Sequence, residues 1–321
     1  MTNKEYEFVD YTVLRDVKLF FVDIVHRSMH MHKEFELFYI FSGSMDISCQ
    51  NMLHRLQEGE FVLFNPRVVH EFRAVGDRPA RILPLQVSPS FWSRYYPQIS
   101  NVEFDAIPIS EALGDRREEL LRHYIQAALF YIRKPPYHEL RCAAEVNRVM
   151  QILLETVPWH YLTEKEKELK RGFSSRFARI MKYIEERYTG KLLLSDLCRQ
   201  EGLSLSYLSR FFTRHLGLTF QEYVTRLRFE RAKFLLERSD MKLTDIAYSS
   251  GFSDIRYMNK VFMAAYGYPA DMYRHGHPHY EQNSFDTSSP GDSVQSFPDE
   301  AQSLVFLKEW LSLQDLPIEA W

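Results

Sequence analysis

Two histidines two residues apart, a glutamate four further on and a distant histidine carry the densest chemistry of this 321-residue chain: His30-x-His32-x-x-x-Glu36, then His70. Imidazoles and a carboxylate in this number make a facial metal site when they converge. The same groups can line the mouth of a barrel, where they hydrogen-bond one another or an organic ligand. His30, His32, Glu36, Phe38 and Ile40 share one parity, so an extended segment would turn all five to one face.

Such a face requires strands around it. Residues 8–75 alternate short apolar runs with turn signals, which predicts strands at 17–25, 35–42, 45–49, 59–64, 71–74 and 81–87. Ser42-Gly43-Ser44 and Asn65-Pro66 mark turns, and Pro84, Pro89 and Pro97 punctuate the exit from the β region. Many short strands at this spacing predict a sandwich or barrel. Two helical patterns follow, 115–132 and 138–157, joined across Pro135-Pro136. Their apolar stripes are wider than a small barrel needs to cover. Either the spare face makes a dimer or both stripes are core.

A second constellation occurs twice. Leu197-Cys198-x-x-x-Gly202-Leu203-Ser204-x-x-x-Leu208 is repeated as Ile246-Ala247-x-x-x-Gly251-Phe252-Ser253-x-x-x-Tyr257. A small residue (Cys198, Ala247) lets two helices cross closely, and a glycine ends the first helix in the left-handed conformation. A serine then caps the second helix. This is a helix-turn-helix, twice, with supports at 195–201 and 244–250 and outer helices at 205–215 and 254–264. Ser206, Ser209, Arg210 and Arg214 would face outward from the first unit. Arg256, Asn259 and Lys260 would do so from the second, with Tyr257, Val261 and Phe262 packed inside. A long helix, 220–237, joins the units. At 1.5 Å per residue it spans about 27 Å, near the ~34 Å between major-groove faces one turn apart.

Charge is distributed accordingly. The formal net charge of −3 divides into 22 Lys and Arg against 24 Asp and Glu in residues 1–175, 17 against 11 in 176–275, and 1 against 8 in 276–321. A basic module inside an acidic protein is what phosphate binding needs. No apolar run approaches a membrane span, and the N-terminus lacks a signal peptide's apolar core. Cys49, Cys142 and Cys198 are far apart with no CxxC, so a reducing, cytoplasmic compartment is expected.

The spacings from His30 through Glu36 to Gly43 closely resemble the first cupin motif, and Gly59 to His70 more loosely resembles the second. The resemblance implies a double-stranded β-helix over roughly residues 10–90. Many cupins hold a metal with such residues, but cupins fused to DNA-binding domains usually sense small molecules. Residues 176–275 resemble the AraC/XylS family of transcription regulators. The resemblance rests on Leu208-Ser209-Arg210-Phe211-Phe212, Arg228-x-x-Arg231-Ala232, Ile246-Ala247, Gly251-Phe252-Ser253 and the ending Gly267-x-Pro269-x-x-x-Tyr273-Arg274. It implies two recognition helices in consecutive major-groove segments, with Ser206, Ser209, Arg210, Arg256, Asn259 and Lys260 facing bases. Arg bonds bidentately to guanine and Asn to adenine. Met263-Ala264 stands where the family commonly has two basic residues, Met258 replaces a usual Phe and Lys260 a usual Arg. The second unit is therefore expected to grip phosphate less strongly.

The expected architecture is multidomain. Residues 1–159 form a β-barrel of the double-stranded β-helix (cupin) type with a helical hairpin, for effector binding and dimerisation. Residues 160–174 are a charged linker, and 175–276 an all-α domain with two helix-turn-helix units. Residues 277–321 are an acidic tail, unusual for the family: polar and disordered over 281–300, then a short amphipathic helix at 301–314. That helix must dock on something, and the acidic segment could shield the basic domain. The expected function is a non-enzymatic, sequence-specific regulator of carbohydrate or small-metabolite genes, acting as a homodimer on double-stranded DNA. RNA polymerase is a further possible partner. The expected effector, a sugar or other small metabolite, binds at His30, His32, Glu36, Phe38 and His70, with no cofactor or metal required. A purely structural barrel is the alternative. A metal-dependent enzyme using the same residues would leave the paired helix-turn-helix without purpose.

Overall fold

The computed structural model describes residues 13–49, 52–76, 78–105, 108–216, 218–276 and 293–313. Eight strands come first: β1 (Val17–Leu19), β2 (Val22–His30), β3 (Phe35–Ser42), β4 (Ser44–Cys49), β5 (Met52–Gln57), β6 (Phe61–Phe64), β7 (His70–Ala74) and β8 (Ala80–Val87). They form one curled antiparallel sheet in the order β5-β4-β7-β2-β8-β3-β6, with β1 added on β8. Alternation gives the sheet two apolar faces. Phe38, Ile40, Met45, Ile47, Phe64, Phe72 and Ile82 fill the concave side, while Phe35, Leu37, Tyr39, Phe41, Leu63, Leu83 and Leu85 face the other way.

That outer face is too apolar to meet water, and helices cover it. After α1 (Ser110–Leu113) come α2 (Arg117–Arg133) and α3 (His138–Thr156), the expected hairpin. Tyr124 of α2 is fully buried against the sheet, with its hydroxyl towards Leu37 O. A two-stranded ribbon, β9 (Val102–Phe104) with β10 (Trp159–Tyr161), closes this end.

The structure departs from the sequence reading in three places, each for a physical reason. Residues 160–174 are not a linker throughout. Helix α4 (Glu164–Glu185) begins inside them, because Thr163 and Glu166 form a reciprocal capping box that satisfies otherwise free N–H groups. β5 was not expected, since Met52 and Leu53 are exposed on it and its apolar pattern is weak. The tail is only partly a polar connector. Residues 281–292 lie outside the described residues, but β11 (Ser293–Ser296) pairs antiparallel with β2. Helix α11 (Glu300–Leu313) then lays Leu307, Trp310 and Leu311 into the same core as the hairpin. The amphipathic helix therefore docks, as its apolar face requires, and its partner is the sheet domain.

The C-terminal helices are α5 (Leu194–Glu201), α6 (Leu205–Leu216), α7 (Phe220–Arg238), α8 (Leu243–Ser249), α9 (Ile255–Tyr266) and α10 (Ala270–Gly276). They bury two separate cores. One gathers Phe177, Ile180, Ile184, Leu208, Phe212 and Leu227; the other gathers Ala232, Leu236, Ile246, Phe252, Phe262 and Tyr273. Helix α7 runs through both.

Candidate ligand site and nucleic-acid interface

His30 ends β2 and His70 begins β7, directly opposite each other in the antiparallel register. His32 lies in the turn after β2, and Glu36 sits on β3 beside Gln86 of β8. One extended segment does not present His30, His32, Glu36, Phe38 and Ile40 together, because residues 31–34 belong to neither strand and interrupt the alternation between β2 and β3. Sheet curvature brings them together instead. His30, His32, Glu36, Phe38 and His70 are all buried on the concave side. Phe38 forms apolar wall against Phe64 and Phe72, and His70 stacks on Phe64 at 4.1 Å.

The hydrogen bonds define what these side chains can do. Nδ1 of His30 donates to Ser28 O at 2.8 Å, Nδ1 of His32 to Glu34 O at 3.2 Å, and Nδ1 of His70 to Val68 O at 3.0 Å. A carbonyl only accepts, so each Nδ1 carries the proton and each Nε2 is turned towards the centre. Glu36 Oε2 lies 3.1 Å from Nε2 of His32 and 3.3 Å from Nε2 of His70. Its Oε1 accepts from Gln86 Nε2 at 3.1 Å. Burial holds His30 well below the ordinary imidazole range, and the neighbouring His70 and Arg27 charges add to this. Burial lowers His70 too, against the opposing hydrogen bond to Glu36. Burial pushes the Glu36 carboxyl up, but the charge and hydrogen bond of His32 outweigh it and hold it well below the carboxylate range.

The geometry therefore needs a positive charge between the imidazoles and Glu36. A proton on His32 supplies one, and so would a cation. The three histidines can each place one ring nitrogen within 4.8 Å of the others. A divalent metal, which the cupin resemblance implies, fits this donor set. Each histidine already spends its other ring N–H on a carbonyl, the usual orientation of a ligating imidazole. The carboxylate oxygen stands at the ligand-to-ligand spacing that ~2.1 Å metal–ligand bonds produce. A bound metal would supply a fixed positive charge for an oxygen of an incoming ligand. Beside the cluster lies a cavity of about 70 Å³ whose lining includes Lys18, Phe20, Arg27 and Gln86.

Residues flanking His30 and His70 touch the C-terminal domain. Met29 on β2, Met31 just after it and Val69 just before β7 join the core of the first helix-turn-helix unit. Glu71, buried on β7, accepts from His26 Nε2 at 2.8 Å and pairs with Arg226 of α7, whose Nη1 lies 3.1 Å from Oε2. Burial raises the Glu71 carboxyl, yet the His26 hydrogen bond and the Arg226 charge together keep it below its usual range. Arg73 and Lys233 flank the buried Glu230 at 3.8 and 3.3 Å. No sequence pattern announced this junction, since its charges lie 155 residues apart in Glu71–Arg226.

Both helix-turn-helix units form. Gly202 and Gly251 have φ of +65° and +87°, and Ser204 Oγ accepts from Tyr207 N at 3.2 Å as expected. In the second unit the cap is Asp254, which accepts from Tyr257 N at 2.8 Å; Ser253 only donates to Asp254. Starting α9 at Ile255 rotates its faces, so Met258 is buried where Tyr257 was expected and Tyr257 is 36% exposed. Ser206, Ser209, Arg210 and Arg214 stand exposed on α6, and Arg256 and Lys260 on α9. Asn259 differs. It is half-buried, and its Oδ1 accepts from Ala270 N at 3.1 Å, so its carbonyl holds the start of α10. The closing Tyr273-Arg274 pair is structural as well: Tyr273 donates to Glu237, and Arg274 donates to Met241 O at 2.8 Å. Among the described residues, no helix is long and apolar enough to cross a membrane.

Residues 197–276 match the helix-turn-helix domain family and residues 26–85 the cupin domain family. A Bacillus subtilis protein described as the uncharacterized HTH-type transcriptional regulator YbfI is 25% identical over 71% of this chain and 80% of its own length. The Msm operon regulatory protein of Streptococcus mutans is 28% identical over 43% of this chain, which spans about half (48%) of that relative. Among solved structures, the C-terminal domain of the response regulator yesN from Fusobacterium nucleatum is 38% identical over 30% of this chain and 93% of its own, with a TM-score of 0.29. With a cupin sheet in front and two helix-turn-helix units behind, the chain is a DNA-binding transcription regulator of the AraC/XylS family.

Proposed function

We propose that this regulator reads a specific DNA site through both recognition helices, and that a small polar ligand held on the concave side of the sheet sets its DNA-binding state. The observation that carries the reading is the double duty of β2 and β7. His30 and His70 point into the cluster, while Met29 beside His30, and Val69 and Glu71 on either side of His70, pack on the helical domain that must meet DNA. A ligand that repositions either strand changes both faces at once, so its differential affinity for two interdomain arrangements becomes a difference in DNA binding. Arg210, Arg256 and Lys260 read bases, Ser206 and Ser209 assist, and Arg214 holds phosphate. The regulator works as a cytoplasmic homodimer on carbohydrate or small-metabolite genes.

The test is binding of the full-length protein to its own upstream intergenic DNA across a salt series, against random DNA. Binding that beats the control and weakens steeply with salt supports sequence-specific recognition, and added sugars then identify the effector. Equal affinity for both DNAs, unrelieved by any sugar, refutes the reading.

The gathering of three imidazoles within 4.8 Å of one another, two of them facing Glu36, supports a second reading, in which a divalent cation forms part of the ligand. Zinc added to chelator-treated protein then raises Tm by mass action, and His70→Ala abolishes the rise. A wild-type Tm indifferent to zinc rejects that reading.

A further inference from the structure

The tail after the DNA-binding domain returns to the sheet domain, and its placement there is specific. β11 pairs with Asp23 to Arg27 of β2, the strand that carries His30. Phe297 lies with its ring 5.8 Å from that of Phe20. Further on, Phe306 makes edge contacts with Phe21 and Phe41 and lies under the Arg81 guanidinium, and Lys134 pairs with Glu300. Trp310 packs on Tyr39 and Phe41. Helix α11 is thus an anchor, and the segment just before it, Gln295 to Phe297, forms one wall of the cavity that holds His30, Glu36 and Gln86.

We propose that the C-terminal tail completes the ligand site, with Gln295 and Phe297 as ligand-contacting residues and Phe297 as the movable part of the wall. This rests on the reading of the concave cluster as the control site. Anchor and wall differ in burial: Leu307 is fully buried, whereas Phe297 is 38% exposed, and its ring contact with Phe20 is of a kind that a local opening can break. The ligand class follows from the cavity. Gln86 is 1% exposed and its amide N–H₂ is committed to Glu36, yet its Oε1 has no hydrogen-bond partner among the described residues. A buried acceptor left bare is costly and marks the place of a donor. Glu36 offers a second acceptor, and Phe20, Phe72 and Phe297 offer apolar walls. A small hydroxylated molecule meets these demands. The cavity of about 70 Å³ holds about five waters at the ~10–15 Å³ each requires. The closed site therefore accepts a short polyol of glycerol size, and a larger sugar enters only with Phe297 displaced.

The experiment is timed labelling of His30 by diethyl pyrocarbonate in the full-length protein, read by mass spectrometry. The half-exposed His160 serves as internal reference. Deleting the tail would remove the buried α11 anchor, so the point variants Phe297→Ala and Gln295→Ala are used, with Tm confirming the fold. Phe297→Ala accelerates His30 labelling roughly tenfold, the change expected when one aromatic contact is lost from a local opening, while His160 is unaffected. Equal His30 rates in wild type and both variants overturn the assignment of the wall. In the second arm, glycerol, erythritol and D-ribose are added as probes. Protection of His30 in wild type, weakened in Gln295→Ala, supports the hydroxylated ligand; faster labelling in Phe297→Ala with no protection by any polyol overturns that class. Both arms are independent of DNA binding, so failure here is distinguishable from failure of the regulator reading.

Discussion

Gly202 and Gly251 occupy the same place in the repeated motif, and alanine at the two positions is predicted to act very differently. Both have positive φ, which costs an L-residue roughly 1–2 kcal/mol, partly offset because alanine also restricts the unfolded chain by about 0.4–1 kcal/mol. At Gly202 nothing lies within 4 Å of the position an added Cβ would take, so the expected loss is about 1 kcal/mol. At Gly251 that Cβ would meet Thr189 Cα and Tyr188 O at 2.7 Å and Arg228 Nε at 2.9 Å. Two of these are backbone atoms, and Arg228 is already committed, donating to Tyr188 O at 2.7 Å and Gly190 O at 2.8 Å. Overpacking that cannot relax adds about 1–3 kcal/mol, for an expected total of about 2–4 kcal/mol. The joint at Gly251 is where the second helix-turn-helix unit rests on the end of α4, and it helps to fix the spacing of the recognition helices. Urea unfolding measures both losses, and DNA binding of Gly251→Ala should suffer beyond its fraction unfolded. Losses at the two glycines agreeing within about 0.5 kcal/mol would refute the packing argument, since that is the scatter of ordinary surface changes.

Four further outcomes follow. Arg210→Ala relaxes sequence preference, costing about 1–3 kcal/mol on specific DNA only, whereas any effect of alanine at Lys191, exposed before α5 and off both recognition helices, is equal on all DNA; equal losses for Arg210→Ala remove it from the base readers. Leu307→Ala, fully buried under α11, costs about 2–5 kcal/mol in thermal or urea unfolding, and a neutral result would show that α11 does not dock on the sheet. Arg226→Ala leaves the buried Glu71 with His26 and the more distant Arg73, at 3.8 Å, and destabilises by about 2–3 kcal/mol, less than for a wholly buried pair because Arg226 is partly exposed; calorimetry should then show the two domains melting apart, and an unchanged single transition would count against the junction. Asn259→Ala lowers stability through the start of α10 more than it alters base preference, and a specificity change without a stability change would return Asn259 to the base readers.

Much of the architecture was legible along the chain. The paired helix-turn-helix could be read because its signals are local: a glycine with positive φ, a capping side chain and apolar residues on a helical repeat all lie within about a dozen residues. The helical hairpin was read from its stripes for the same reason. The local signal weakened where two candidates stood side by side, as with Ser253 and Asp254, where one position of cap shift exchanged Tyr257 for Met258 in the interior. The charged stretch before Ser175 was misjudged because a helix start needs only a capping box, and Thr163 with Glu166 provides one inside a segment that has no apolar period.

The concave cluster shows where such reading stops. Residue types at His30, His32, Glu36 and His70 were enough to nominate a site, but not the way it is assembled. The single-strand argument failed at the 31–34 turn, and the convergence comes from the curl of a sheet that pairs His30 with His70 across forty residues of sequence. The contacts on which the proposed control rests, Glu71 with Arg226 and β11 with β2, depend on long-range closure. Hydrogen-bond and charge complementarity between distant segments leave no periodic trace in either segment alone. Local propensity and spacing specified the parts; burial of the sheet's two apolar faces decided which of them meet.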